Sequence, residues 1–259
     1  ITEDMTEEEV AIAAMRRECR GLIFATDGKL LARRYHKFFN VDQKEESQEN
    51  NVPWNDGHTL LEKLDGSMVS PFMIGDCIRW GTKMGITDVA MQAEVFVAKN
   101  PKYKKFARHM IDLNHTPIFE WCSRQARIVI DYPEDQLILT GVRNNLTGEY
   151  VPYGNMSEAV KLIDVPSVIA HEITSNLIHT IQGWTEAEGV VVRFDDGHMV
   201  KIKAEQYLLQ HKSKEAITRE KNVIGYIVNG QLDDVMPYLT PEDRIQIGQF
   251  ADEVYLNLK

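Results

Sequence analysis

Short apolar runs separated by paired aspartate and glycine residues constrain the fold of this chain more than any other feature of its sequence. The pairs are Asp27-Gly28, Asp65-Gly66, Gly75-Asp76 and Asp196-Gly197. Glycine supplies the positive φ that tight hairpin turns require, so each pair predicts two antiparallel strands joined by a short loop. The stretch "LEKLDGSMVS" therefore predicts a hairpin whose first strand ends at Lys63.

Helical and extended patterns alternate along the rest of the chain. Thr6 and Glu9 form a capping-box pattern at the start of a helix. Further helices are predicted over 87–100 and 101–113, strands over 117–122, 127–133 and 136–144, and a mobile polar loop over 40–58. From Glu205 the pattern is helical again, with Thr240-Pro241-Glu242 as a helix start. The prediction is an antiparallel α+β fold, with one domain over 1–204 and a small helical region over 205–259.

Composition excludes several classes of protein. The 259 residues carry 29 Lys and Arg against 39 Asp and Glu, a net charge of −10, which disfavours a cationic coat protein for nucleic acid. Three widely separated cysteines indicate a reducing compartment. No apolar run approaches the roughly 18 residues of a membrane span. The sequence also lacks a His-Glu-x-x-His zinc motif and a P-loop.

Lys63 is the candidate nucleophile of this chain. It begins the pattern Lys-x-Asp-Gly-Ser, which on its own also fits a solvated lysine at a strand end. A lysine acts as a covalent catalyst only when its amine is neutral, which cationic neighbours favour. Lys201 and Lys203 alternate with Ile202, so on a strand both ammonium groups lie on one face and can disfavour the protonated form of Lys63.

Four further motifs follow Lys63 in order: "TKMG" at Lys83, "FEW" at Glu120, "EGVVVRF" at Glu188 and "VKIK" at Lys201 and Lys203. In this order they resemble the covalent lysyl nucleotidyltransferases, the superfamily of ATP-dependent ligases and mRNA capping enzymes. The segments "ECRGLIF", "KFFN", "FEWCSRQARIVIDY", "VRNNLTGEY" and "KIKAEQY" are similar to the bacteriophage RNA ligase 1 family, which is associated with tRNA repair. The resemblance implies the nucleotidyltransferase fold: two antiparallel sheets flanked by helices, here with a short helical C-terminal appendage.

The resemblance also implies a set of site residues. Lys63 would attack the α-phosphate of ATP and carry AMP covalently, with Lys201 and Lys203 as catalytic partners and Glu188 as the ligand of Mg²⁺ or Mn²⁺. The nucleotide would be held by Arg20, Lys37, Phe38, Glu62, Gly66, Lys83, Glu120, Glu188, Lys201 and Lys203. Glu120 would contact the ribose, and Arg20 and Lys37 would contact phosphate or an RNA end. Phe38 and Phe39 fit either core packing or base stacking, and Arg143 is a weaker phosphate candidate.

The expected substrate is RNA with 5′-phosphate and 3′-hydroxyl ends, with a cleaved tRNA as one candidate. A cytoplasmic monomer is expected, in the host cytoplasm if a phage encodes it, with no membrane association. The segment "PKYKKFARH" mixes cations with aromatic rings, as in a single-stranded RNA site, although a solvated helix face fits equally. The alternatives are a DNA ligase, a GTP-dependent capping-type enzyme and a catalytically silent RNA-end-binding protein.

Overall fold

A computed structural model describes residues 1–2, 4–173, 175–236, 239 and 241–257; the side chains at 161, 162, 212–217, 234, 235, 241 and 242 are left out of the description. The chain divides into two compact units, the first spanning Ile1–Ala204 and the second beginning at Glu205. The first unit contains all the strands described below. The second consists of helices that pack around Val223, Ile227, Leu239, Ile247 and Ala251.

The helices of the described residues are α1 (Glu7–Glu18), α2 (Asp88–Lys99), α3 (Pro101–Asp112), α4 (Tyr153–Ile163), α5 (Leu177–Gln182), α6 (Glu205–Thr218), α7 (Glu220–Val228), α8 (Leu232–Val235) and α9 (Pro241–Asn257). The predicted starts of α1 and α2 are confirmed: Thr6 and Glu9 form the capping box, and Thr87 caps α2. Pro101 occupies the first turn of α3. Pro241 begins α9, whereas Thr240 lies outside the described residues.

The strands are β1 (Leu22–Phe24), β2 (Leu30–Arg33), β3 (Phe39–Asn40), β4 (His58–Glu62), β5 (Ser67–Ile74), β6 (Cys77–Gly81), β7 (His115–Cys122), β8 (Gln136–Asn144), β9 (Ala170–His171), β10 (Gly189–Phe194) and β11 (Met199–Lys203). They form a five-stranded sheet in the order β3-β11-β10-β4-β9, a four-stranded sheet in the order β6-β5-β7-β8, and the pair β1-β2. Neighbouring strands are antiparallel except β3 and β11. The predicted α+β class is confirmed.

Each large sheet has its own apolar layer. Val190 and Val192 of β10 face a cluster that includes Ile181 of α5. The four-stranded sheet buries Phe119 and Trp121 against the helices α2 and α3. Because successive residues of a strand face opposite sides, Val191 of β10 faces the space between the sheets. That space contains the candidate site.

Three of the four predicted turns are confirmed as hairpins. Gly28, Gly75 and Gly197 have φ of 84°, 55° and 89°, and they join β1 to β2, β5 to β6 and β10 to β11. The hairpin predicted at Asp65-Gly66 is wrong, because β4 pairs within the five-stranded sheet and β5 within the four-stranded sheet.

Asp65 and Gly66 instead carry the chain from one sheet to the other. The Lys63 N–H donates to the Gly189 carbonyl at 2.9 Å, so the chain follows β10 beyond β4. A Cβ on Gly66 would lie 2.5 Å from the Trp121 carbonyl oxygen, which explains the need for glycine without a hairpin.

Two other local predictions are corrected. Residues 127–133 form a loop between β7 and β8, because the N–H groups of Val129 and Ile130 donate to the Asp65 carboxylate at 2.7 Å and have no strand partner. The segment expected to be a mobile loop contains two short 3₁₀ turns, Glu45–Ser47 and Glu49–Asn51. Buried Ser47 stabilises the first turn by donating to the Asn40 carbonyl.

Candidate active site

A cavity of about 530 Å³ lies between the two large sheets. The predicted residues that line it are Arg20, Phe38, Glu62, Lys63, Gly66, Lys83, Glu120 and Lys201. We call it the nucleotide cavity, after the role predicted for these residues. Its apolar walls include Leu61, Leu64, Val168 and Val191.

One buried carboxylate joins two of the predicted lysines. Glu188 forms two ion pairs: its Oε2 lies 2.7 Å from the Lys63 Nζ, and its Oε1 lies 2.8 Å from the Lys203 Nζ. Only 4% of the Glu188 side chain is exposed. Backbone contacts position all three residues. The Ala204 N–H donates to the Glu188 carbonyl, Gly189 pairs with Lys203 across the sheet, and the Lys63 N–H donates to the Gly189 carbonyl. Gly189 has a φ of 136°, and a Cβ there would lie 2.1 Å from the Ile202 carbonyl oxygen.

Lys201 has a different environment from Lys203, although both lie on one strand face as predicted. Burial, followed by the charges of Lys63, Lys37, Lys203 and Arg20, lowers the pKa of Lys201 to about 8. Its Nζ lies 5.3 Å from the centroid of the Phe38 ring. The half-buried Phe38 ring thus contacts a cation and, edge-on, the Tyr35 ring.

Arg20, Lys37 and Lys83 form a cationic group beside Lys201. Burial and then the charges of Arg20 and Lys83 lower the pKa of Lys37. The Lys37 side chain is outside the cavity lining, and its Nζ lies 5.3 Å from the Phe39 ring centroid. Lys83 is exposed in the turn that follows β6. Together these charges suit an anionic ligand such as a chain of phosphates.

Two carboxyl groups of the cavity have raised pKa values. Burial raises the pKa of Glu120 to about 8; Lys63 opposes this shift, whereas Glu188 and Asp65 reinforce it. Glu120 is therefore largely protonated at neutral pH and can donate as well as accept a hydrogen bond. Burial also raises the pKa of Glu62, against the opposing effect of His171.

Two residues near the cavity were missed from the sequence. Asp65 anchors the 123–135 loop through its carboxylate, and its own N–H donates to the Tyr132 hydroxyl at 2.9 Å. The sequence signal at Asp65 was the Asp-Gly pair, which indicated a turn but not a role for the aspartate side chain. Arg193 lines the cavity with 5% of its surface exposed, and its place on the face of Val191 follows from strand alternation.

Two weaker candidates have structural roles. Arg143 is buried, pairs with Glu18 at 2.6 Å and donates to the Arg34 and Gly148 carbonyls. In α3, Tyr103 and Phe106 are core residues, so the interpretation of this segment as cations mixed with aromatic rings available to RNA is wrong. Lys104, Lys105 and Arg108 are exposed on the outer side of α3, as on a solvated helix face.

The donor set at Glu188 fits a divalent cation carried by a nucleotide. Magnesium is usually held by one or two carboxylates together with substrate phosphates, and Glu188 supplies a carboxylate here. Within the described residues there is no group of three or more His, Cys, Asp or Glu side chains that could hold a metal alone. The described helices include none with the length and apolar character needed to cross a membrane.

The fold has counterparts among solved structures. An archaeal ATP-dependent RNA ligase superposes with a TM-score of 0.58 at 13% identity, covering 90% of this chain and 65% of that one. A Naegleria gruberi RNA ligase variant with ATP and Mn superposes with a TM-score of 0.53 at 17% identity, covering 68% of this chain and 57% of that one. These likenesses define a nucleotidyltransferase fold of the RNA ligase type, as predicted.

The sequence identifies the family. The profile described as RNA ligase matches residues 18–217, and the protein belongs to the RNA ligase family. A Thermovibrio ammonificans protein provisionally named as an RNA ligase is 29% identical over 241 residues, 87% of this chain. The RNA ligase of Rhodothermus phage RM378 is 24% identical over 308 aligned positions, which cover 93% of this chain and 69% of the phage protein. This chain spans 62% of the length of the Thermovibrio protein.

Proposed function

We propose that the protein is an ATP-dependent RNA ligase that joins 5′-phosphate and 3′-hydroxyl RNA ends through AMP bound covalently to Lys63. The observation that carries the proposal is the contact of Lys63 and Lys203 with buried Glu188, where Lys63 itself lines a cavity rich in cations. Family membership and the names of the relatives support the choice of RNA over DNA.

In the first step the Lys63 Nζ attacks the α-phosphorus of ATP. The ammonium of Lys63 first gives up one proton, because only the neutral amine can attack; a nitrogen–phosphorus bond then forms, the bond to pyrophosphate breaks, and the nitrogen loses a second proton. Glu188 Oε2, at 2.7 Å from Nζ, is the contacting group that can accept the first proton and pass it on to solvent.

Two further transfers complete the reaction. The 5′-phosphate of RNA attacks the adenylyl phosphorus, which releases Lys63 and leaves an adenylylated RNA end. The 3′-hydroxyl then attacks that end, a phosphodiester forms and AMP departs. Lys201 and its cationic neighbours would stabilise the negative charge that develops on the phosphates.

Mg²⁺ or Mn²⁺ would be held by Glu188 with the nucleotide phosphates, where it supplies charge neutralisation of the leaving pyrophosphate. Glu120 would bind the ribose, and its protonated carboxyl can donate to a hydroxyl oxygen. The proposal includes RNA repair, with cleaved tRNA as a candidate substrate, by a cytoplasmic monomer.

Incubation with ATP or GTP, followed by intact-protein mass measurement, tests the first step. We expect an AMP adduct that Lys63→Ala abolishes and that Lys99→Ala, an exposed lysine on α2, retains. A GMP adduct would favour a capping-type enzyme, and no adduct would favour an RNA-end-binding protein. Sealing of RNA but not of all-DNA ends separates the RNA ligase from a DNA ligase.

A further inference from the structure

Arg193 has a buried guanidinium group with unused hydrogen-bonding capacity. It lies on β10 with 5% of its surface exposed, and its Nη1 has no hydrogen-bond partner among the described residues. The side chain forms part of the wall between the nucleotide cavity and a second cavity of about 1110 Å³. A buried donor without an acceptor is costly, so an acceptor supplied by a ligand explains its retention.

The second cavity is poorly suited to an anion. Its lining has four carboxylates, Glu18, Glu149, Asp195 and Asp196, against three guanidinium groups. Two of those three are already committed, because Arg17 pairs with Glu46 and Arg143 with Glu18. The nucleotide cavity instead has five cationic side chains and two carboxyl groups, so it is the better source of an acceptor for Arg193.

Strand register places Arg193 away from the reacting phosphate. Gly189 is opposite Lys203 and beside Lys63, Val191 is opposite Lys201, and Arg193 follows two residues later. Four residues of strand separate Gly189 from Arg193, about 13 Å at 3.3 Å per residue. Val191, an apolar wall residue, lies between them on the same strand face, so a nucleotide with its α-phosphate at Lys63 and its base over Val191 brings the base toward Arg193.

We infer that Arg193 is a base-specificity residue that donates a hydrogen bond from Nη1 to a ring nitrogen of the purine in the nucleotide cavity. The inference rests on the proposed nucleotidyl transfer to Lys63. A guanidinium group has donors only, so its partner must be an acceptor on the purine edge, namely N1, N3 or N7. The exocyclic amino group of adenine is excluded because it is a donor.

The test combines variants with atom substitutions in ATP. Rates of adduct formation on Lys63 are measured by intact-protein mass at subsaturating ATP, 1-deaza-, 3-deaza- and 7-deaza-ATP. The proteins are wild type, Arg193→Met, Arg193→Lys and the control Arg79→Met, which alters an arginine of β6 paired with Glu94. Melting temperatures establish that each variant is folded.

We expect Arg193→Met to lower kcat/KM for ATP about tenfold to a hundredfold through KM, as for loss of one charged hydrogen bond. One deaza analogue should lower the wild-type value equally and cause no further loss in Arg193→Met. Arg193→Lys should recover part of the loss with ATP alone, and Arg79→Met should match wild type.

Equal losses for ATP and every analogue in Arg193→Met would overturn the inference, because they indicate contact with a phosphate or with a ligand of the second cavity. Unchanged kinetics in both Arg193 variants would also overturn it, while leaving the proposed function intact. Absence of any wild-type adduct would overturn the proposed function and this inference together.

Discussion

Replacement of Glu120 by glutamine should stabilise the first unit in a pH-dependent way. Glu120 lies in β7 and faces the nucleotide cavity, where burial raises its pKa to about 8 from an ordinary value of 4.5. Between these two pH values the unfolded chain releases the proton and the folded chain retains it. Stability of the wild type therefore falls as the pH rises from 4.5 to 8.

The magnitude follows from the size of the shift. At pH 7 the penalty is about 1.36 kcal/mol for each of 2.5 pH units, or about 3.4 kcal/mol. Glu120 keeps some contact with solvent, so we take about 2 to 3 kcal/mol as the expected effect. Glutamine does not titrate, so Glu120→Gln should gain this amount over wild type between pH 4.5 and pH 7 and little more above pH 8.

Urea unfolding monitored by tryptophan fluorescence measures the effect, because all four tryptophans lie in the first unit. The quantity of interest is the difference in unfolding free energy between Glu120→Gln and wild type at pH 5, 7 and 8.5. Glu158→Gln, an exposed site on α4, provides the control and should show a constant difference. A difference for Glu120→Gln that stays constant with pH would refute the reasoning.

Four other outcomes are expected. Lys63→Ala should abolish the AMP adduct yet retain sealing of pre-adenylylated RNA in a gel assay, because the last transfer does not use the amine. In steady-state kinetics the KM for ATP should rise as the pH passes about 8 and Lys201 loses its charge, and Lys201→Arg should remove that rise. Asp65→Ala should lower the free energy of unfolding in urea by about 3 kcal/mol, and amide exchange should show the 123–135 loop released. Gly189→Ala should prevent soluble folding, because its Cβ would overlap a carbonyl of the neighbouring strand; a normal circular dichroism melt would contradict this.

The difference between predicted and observed turns has a physical cause. Gly28, Gly75 and Gly197 adopt the positive φ that a hairpin turn needs, so local sequence was sufficient there. Gly66 is required for its lack of a Cβ against the Trp121 carbonyl, a contact with a residue 55 positions away that no local pattern reveals.

The predicted strand over 127–133 failed for a related reason. The β-branched run from Ile128 to Ile130 made it a plausible strand, but the N–H groups of Val129 and Ile130 bond to the Asp65 carboxylate. A side chain that takes the place of a neighbouring strand leaves no periodic signal in the sequence.

The site was predictable to the extent that strand geometry determines it. Alternation placed Lys201 and Lys203 on one face, and motif order brought Glu188 to the same strand pair. The sequence pattern could not show that Lys203 pairs with Glu188 while Lys201 lies in the cavity beside Phe38, because side-chain partners depend on packing between distant segments.

The crossing between the sheets explains why the candidate nucleophile lies beside an Asp-Gly pair. Lys63 leaves the five-stranded sheet held by the Gly189 carbonyl, and three residues later Gly66 contacts β7 of the four-stranded sheet. A hairpin would have kept Lys63 and the following strand in one sheet, with no cavity between them. Because the chain crosses here, Lys63 from one sheet and Glu120 from the other line the same cavity. The spacing of the two sheets is thereby coupled to the position of the amine, and the close contact at Gly66 holds that spacing.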